Sequence, residues 1–316
     1  MELVTVIITV FNKEKDLSSS IKSVLNQSYQ NLEIVIINDG STDRSEEIIL
    51  NFQVKDSRIK YIKQKNQGVS AARNTGIELA QGKYLSFLDA DDYFDPFFIE
   101  KMVGKIGKCT ACYCGHYFVY PDNRKKKSWQ NFLKGDVLEE YLLNKCSPHT
   151  NSWLISRDFL MLNNLFFEVV LDWGEDMLFF AKLMALNTEL QCVEEYLTFY
   201  RLGVSDSLST TDINKINKDI LWLNMYMKFL NETDIDISRK QRVLESINNY
   251  RLPALVVYQL WSNRNLLNKD DFSLVHNEME RYIHNIKLNN GLRSIKLYIY
   301  SLFLKFHIIK LKGRLM

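Results

Sequence analysis

Four short apolar runs alternate with stretches of helical periodicity in the first ninety residues, and this alternation constrains the fold more than any other feature of the chain. Leu3–Val10, rich in Val, Ile and Thr, reads as a buried strand. Leu17, Ile21, Val24 and Leu25 then recur at helical spacing. Leu32–Ile37 is a second buried strand, Asp43–Phe52 a helix, Ile59–Ile62 a short strand, Ser70–Ala80 a helix and Tyr84–Leu88 a further strand. A β-α series of this kind predicts an α/β fold with a mainly parallel sheet and helices on both faces. In such sheets ligands gather at the carboxyl ends of the strands. Three of those ends are polar here: Phe11-Asn12, Asn38-Asp39-Gly40 and Asp89-Ala90-Asp91-Asp92.

Beyond Pro96 the pattern loosens. Cys109–Tyr120 reads as a strand, Pro121–Lys127 as a basic loop, Glu175–Leu186 as a helix and Gln191–Tyr200 as a strand. From about Asp212 the chain reads as mainly helical. Two domains are expected, an α/β one over residues 1–207 and a helical region with a basic tail over residues 208–316.

The strongest chemical signal is Phe87-Leu88-Asp89-Ala90-Asp91-Asp92. Alternate residues at a strand end could bring Asp89 and Asp91 towards one point. Carboxylate oxygens suit Mg²⁺ or Mn²⁺, with phosphates completing the shell. An acidic helix cap before Tyr93 would use the same residue types. Asp39 ends a buried strand, where it could accept hydrogen bonds from a base imide or a ribose hydroxyl. A plain strand-turn-helix connection capped by Ser41 or Thr42 accounts for the same residues. Gly68 precedes a helix start, where backbone N–H groups favour phosphate, and Arg73 could reach phosphate or sugar oxygens. The plainer alternative is a capped surface helix with a solvated Arg. Trp173-Gly174-Glu175-Asp176 sets two carboxylates at another helix start. One could abstract a proton from an acceptor, or both could simply complement the helix dipole.

Taken in order, these pieces resemble glycosyltransferase family 2, with its GT-A fold. The residues that carry the resemblance are Thr9-Val10-Phe11-Asn12 with Glu14, Asn38 to Asp43, Gly68 to Gly76, Asp89 to Asp92 and Gly174-Glu175-Asp176. The resemblance extends from residue 3 to about 207 and takes in Tyr200-Arg201, Ser205 and Ser207. It implies an inverting transferase that takes a sugar from a nucleotide-diphosphate donor, UDP-linked, and hands it to a hydroxyl of a growing bacterial surface glycan. It also implies that Thr9, Phe11, Asn12, Glu14 and Asp39 hold the nucleotide, with Gly68 and Arg73 beside the phosphates. Asp89, Ala90 and Asp91 would serve ribose, diphosphate and a divalent metal, Mn²⁺ or Mg²⁺, with Asp89 and Asp91 as its ligands. Asp176, beside Glu175, matches the family's general base, and the Arg201 segment is similar to one that closes over the diphosphate. The chain departs from the family in two places. Val10 stands where Pro usually precedes the aromatic, and the run Asn151-Ser152-Trp153-Leu154-Ile155-Ser156-Arg157 lacks the usual Lys.

Other enzyme classes fit poorly. A nicotinamide-dependent oxidoreductase needs Gly-x-Gly-x-x-Gly after its first strand, and Thr9 to Glu14 holds no glycine. A P-loop needs four residues between its glycines, and the spacing from Gly76 to Gly82-Lys83 is one too long. The rival from another class is an inactive nucleotide-sugar or glycan-binding subunit. It would have no use for both Asp91 and Asp176. Lys and Arg number 40 against 38 Asp and Glu, which argues against nucleic acid as a partner. Cys109, Cys112, Cys114 and His116 invite a zinc reading, but strand alternation separates Cys109 from the other two thiols. The chain opens directly into a strand, its thiols lack the framework spacing of a small secreted domain, and a cytoplasmic location is expected. Arg281 to Met316 contains no Asp or Glu and eight basic residues. Such a tail suits peripheral binding to an anionic membrane, where a lipid-linked acceptor would be met, or packing against the protein.

Overall fold

The computed structural model describes residues 1–203, 215–263, 280, 282, 286–288 and 291–313, with side chains in the final helix as far as Leu304. Ser205 and Ser207, and the side chains of Lys305, Lys310, Lys312 and Arg314, lie outside the described residues. The chain divides into two compact units. One comprises Met1–Val137 with Asn144–Ser207, the other Leu138–Leu143 with Leu208–Met316. A single cut at 207/208 would leave Leu138–Leu143 with the first unit.

The first unit is built on β1 (Val4–Val10), β2 (Leu32–Asn38), β3 (Ile59–Lys63), β4 (Tyr84–Asp89), β5 (Tyr93–Phe94), β6 (Ala111–Val119), β7 (Lys125–Lys127), β8 (Trp153–Ser156) and β9 (Leu190–Arg201). They form one sheet in the order β3-β2-β1-β4-β8-β6-β9-β5, with β7 paired to β6. β3, β2, β1 and β4 run parallel, as do β6 and β9, whereas β8 is antiparallel to both β4 and β6. Every residue of β1 and β2 is buried, as expected of strands covered on both faces.

Helices α1 (Leu17–Leu25), α2 (Ser45–Gln53) and α4 (Phe98–Ile106) cover one face. Leu17, Ile21, Ile49, Phe98 and Met102 share a core there with Val6, Ile8, Ile34 and Ile36. The alternate residues Val35 and Ile37 pack instead on Ala72 of α3 (Val69–Leu79). Gly76 lets α3 come close to the sheet, since a Cβ there would lie 2.3 Å from Ile7 Cγ2. Phe179 of α7 (Glu175–Leu186) meets Phe87 edge-on at 6.0 Å on the same side as Ile7. Two short helices complete the numbering, α5 (Leu138–Leu142) in the second unit and α6 (Arg157–Leu162) in the first.

The basic run read as a loop is in part a strand. Asn123, at φ 61°, turns the chain, and Lys125–Lys127 pair with β6 as β7. Lys125 Nζ lies 4.3 Å from the Phe199 ring centre and Lys127 Nζ 4.8 Å from that of Tyr196. The ammonium groups of this exposed strand thus sit over aromatic rings as cation–π contacts. Cys112 and Cys114 are buried core residues, and burial pushes the Cys112 thiol up to about 12. That is the opposite of what a zinc thiolate needs.

In the second unit, α8 (Lys215–Glu232), α9 (Ile237–Ser246), α10 (Leu252–Asn263) and α11 (Leu292–Gly313) pack around buried Trp222, Leu223, Tyr226, Val256 and Leu260. Pro253 cannot donate to the helical ladder, and the backbone widens into a π-turn over Ile247–Arg251 just before it. The Asn249 carbonyl, four residues before that proline, accepts from Lys287 N at 3.4 Å instead. Among the described residues no helix is long and apolar enough to cross a membrane.

Candidate active site

The parallel register brings the strand ends together. Val10 pairs with Asn38, and Thr9 with Asp89. Thr9 Oγ1 donates to Asp89 Oδ1 at 3.2 Å. Phe11 follows β1 and is 45% exposed, an uncommon position for a Phe and a ready platform for a flat ring.

Asn12 and Glu14, both expected at the nucleotide, bond the neighbouring loop. Asn12, at φ 52°, accepts from Thr42 N at 2.8 Å, and its own N–H donates to Ser41 Oγ at 3.1 Å. Glu14 Oε2 accepts from Arg44 N at 3.1 Å, and Glu14 N donates to Asp43 Oδ2 at 2.9 Å. These bonds tie the end of β1 to the start of α2 and fix where Phe11 stands.

Asp39 is buried, and its carboxylate already accepts from Gln64 Nε2 at 2.8 Å, Gln67 N at 3.0 Å and Gly68 N at 2.8 Å. A carboxylate offers about four acceptor sites, so about one is left for a ligand. The Gly68 N–H, expected to face phosphate, is therefore spent on Asp39. Glycine is required there by its φ of 89°. Gly40 is required too, because a Cβ would come within 2.9 Å of Asn66 N.

Arg73 was expected to reach phosphate or sugar, and the structure places it deeper. Its guanidinium is buried, with Nη2 donating to Asp89 Oδ1 at 3.0 Å and Nη1 to Glu175 Oε1 at 3.1 Å. It also lies 5.1 Å from the Phe167 ring centre. Arg73 thus joins the carboxylate at the end of β4 to the one at the start of α7. Burial opposes ionisation of Asp89, but Arg73 and then His149 outweigh it and hold the carboxyl below its usual range. Glu175 goes the other way, pushed up to about 7 by burial first and the Asp176 charge second. Asp176, half-buried, accepts from Thr150 Oγ1 at 3.1 Å. Gly174, left-handed at φ 77°, turns the chain into α7 so that both carboxylates stand in its first turn.

Asp91 Oδ2 lies 2.9 Å from Lys13 Nζ. Ala90 is buried, and its carbonyl accepts from Ser20 Oγ at 2.7 Å. Arg201, expected near the diphosphate, reaches the Asp91 loop. Its guanidinium bonds Asp16, Ser19 and the Asp91 carbonyl, clamping that loop to α1. Asp92 is fully buried and accepts from Asn151 Nδ2 at 3.0 Å and Arg201 N at 2.9 Å. Burial and the neighbouring Asp91 and Asp89 raise its carboxyl well above the ordinary range.

Asp89 and Asp91 supply hard oxygen donors of the kind Mn²⁺ or Mg²⁺ prefers, one on Arg73 and one on Lys13. Among the described residues no cluster of three or more His, Cys, Asp or Glu is placed to hold a metal. The donor set fits a cation that takes most of its shell from phosphates and water.

Lys13 and Thr150 escaped the sequence reading, while Asp92 and Asn151 stood in quoted motifs without a role of their own. His149 stacks on Tyr200 at 4.3 Å and lies 4.0 Å from Asp92. The available signal was the polar run His149 to Ser152 immediately before the apolar β8.

Strand ends that gather carboxylates around one buried guanidinium, on a mixed sheet with this order, define a glycosyltransferase of the GT-A type. The chain belongs to glycosyl transferase family 2, whose model matches residues 5–184. Over 149 residues it is 38% identical to Glycosyltransferase GlyA of Streptococcus pneumoniae, covering 47% of this chain. The matches to GlyA and two further curated relatives span 21%, 42% and 61% of those proteins' lengths. Among solved structures, S. aureus TarS 1-349 in complex with UDP-GlcNAc aligns with a TM-score of 0.66 at 16% identity, over 90% of this chain and 89% of that one. The mannosyltransferase PcManGT of Pyrobaculum calidifontis, in complex with GDP-Man and Mn²⁺, aligns with a TM-score of 0.57 at 13% identity, over 98% and 86%.

Proposed function

We propose that this chain transfers a sugar from a UDP-linked donor to a hydroxyl of a bacterial surface glycan, with inversion at the anomeric carbon. The catalytic domain is residues 1–207, and the acceptor is lipid-linked and met at the inner face of the cell membrane. The observation that carries the reading is the Arg73 bridge, which holds the donor-side Asp89 within one guanidinium of the acceptor-side Glu175-Asp176 pair. The complex of TarS with UDP-GlcNAc supports the choice of donor.

In this reading the base stacks on Phe11 and takes the remaining acceptor site of Asp39. Asp89 and Asp91 would hold a divalent cation, which when bound neutralises charge on the departing diphosphate. The Mn²⁺ complex of PcManGT supports that expectation. Asp176 is the general base. Glu175 is buried and held by Arg73, whereas Asp176 stands half-buried with Thr150 as its side-chain donor. The acceptor oxygen gives its proton to Asp176 and bonds to the anomeric carbon. The bond from that carbon to the phosphate oxygen breaks on the opposite face, and the electron pair leaves with the nucleoside diphosphate. Burial of Arg73 and Glu175 strengthens the electrostatics of the site.

A panel of nucleotide-sugars incubated with the protein and Mn²⁺ tests this directly. Slow release of UDP from one of them is expected, and retention of every donor intact would refute it.

A further inference from the structure

Helix α11 buries one face and leaves an apolar one outside. Ser294, Leu297, Ser301 and Leu304 are buried, and Tyr300 stacks on Trp261 of α10 at 5.0 Å. On the other side Leu292, Ile295, Tyr298, Ile299, Leu302 and Phe303 are 36% to 83% exposed. Lys296 is the single polar residue among the exposed positions from Leu292 to Leu304. The outer face of a helix on a water-soluble protein is normally polar. A continuous exposed apolar strip marks a surface that something else covers.

The charges say what covers it. Arg281 to Met316 carries eight basic residues and no acidic one. Pairing this helix with a second copy would set like charges against each other with no carboxylate to offset them. An anionic lipid surface attracts such charges. At 22 residues the helix is about 33 Å long, enough to span a bilayer, but Arg293, Lys296, Lys305, Lys310 and Lys312 fall within it. Charges spaced in that way suit the plane of the interface and oppose a span.

We infer that the outward face of α11 seats this protein on an anionic membrane, with Ile295, Ile299, Leu302 and Phe303 at the acyl boundary and Lys296 among the headgroup phosphates. The inference rests on the membrane-side acceptor proposed above and names the surface that meets the bilayer.

The test is co-sedimentation of the full chain with phosphatidylcholine vesicles, with and without phosphatidylglycerol. Binding is expected only with the anionic lipid, weakening as salt rises. Ile295→Gln with Ile299→Gln should lower it by at least about tenfold. Lys296→Gln should lower it by roughly fivefold. In a separate variant, Leu302→Trp, the added fluorescence should be quenched by brominated lipid. Sedimentation that the double substitution leaves intact, or an unquenched tryptophan, would overturn the inference. So would a wild-type protein that ignores vesicles and elutes as a dimer that Ile295→Gln with Ile299→Gln splits. Donor hydrolysis, followed in parallel without vesicles, reports on the transferase reading alone. Its persistence when binding fails would remove only the docking face.

Discussion

The Lys13 ammonium lies 2.9 Å from the Asp91 carboxylate, so the second acid of the Asp89-Ala90-Asp91 run already has a cation. A divalent metal drawn to Asp91 must compete with it, and Lys13 then becomes free to meet the diphosphate. Lys13→Met should raise Mn²⁺ affinity of the nucleotide-free protein by about fivefold, the scale of a partly exposed ion pair. It should also weaken binding of the nucleoside diphosphate. Calorimetric titration of each ligand reads both effects, and a fall in Mn²⁺ affinity would show that Lys13 supports the metal site.

Asp39 holds Gln64, Gln67 and Gly68 as well as the proposed base. Asp39→Ala should therefore weaken UDP binding by about 1.5–3 kcal/mol, the range for a lost hydrogen bond to a charged group. It should also speed hydrogen exchange at the Gln67 and Gly68 amides. Unchanged exchange there, together with unchanged UDP affinity, would leave Asp39 with neither role.

The strand ends were legible because the apolar runs stop at Asn38-Asp39 and at Asp89. The partners of those acids were not. Arg73 and Glu175 are 102 residues apart, and Asp92 and Asn151 are 59 apart. Such pairings depend on how β8, only four residues long, inserts antiparallel between β4 and β6. Local periodicity carries no information on that insertion. The bonds of Asn12 to Thr42, of Glu14 to Arg44 and of the Ala90 carbonyl to Ser20 were hidden for the same reason, since they join residues 30, 30 and 70 apart.

His116 gives the protein a pH dependence. It is buried, and burial first and His149 second push its pKa down to about 3 from 6.5. Below pH 6.5 the unfolded chain takes a proton that the folded one refuses, so stability falls as the solution is acidified towards pH 3. At about pH 5 the loss from this one group is on the order of 2 kcal/mol. His116→Phe should flatten that part of the curve, measured as thermal midpoint against pH. A variant with an unchanged acid limb would place the proton uptake elsewhere.

The two carboxylates at the start of α7 should separate in kinetics. Asp176→Asn removes the base and should lower the transfer rate by roughly 10²–10⁴, with donor affinity little changed. Glu175→Gln keeps an oxygen for Arg73 to bond and should cost less than about tenfold. If Glu175→Gln is dead and Asp176→Asn active, the two roles are exchanged.

Release of nucleoside diphosphate from a UDP-sugar, followed with Mn²⁺ present and after chelation, is the most direct check on the proposed chemistry. The expected result is slow release that stops with EDTA, returns with Mn²⁺, and disappears in Asp89→Asn with Asp91→Asn. Equal release in EDTA would contradict the metal's role, and release from no nucleotide-sugar at all would contradict the transferase itself.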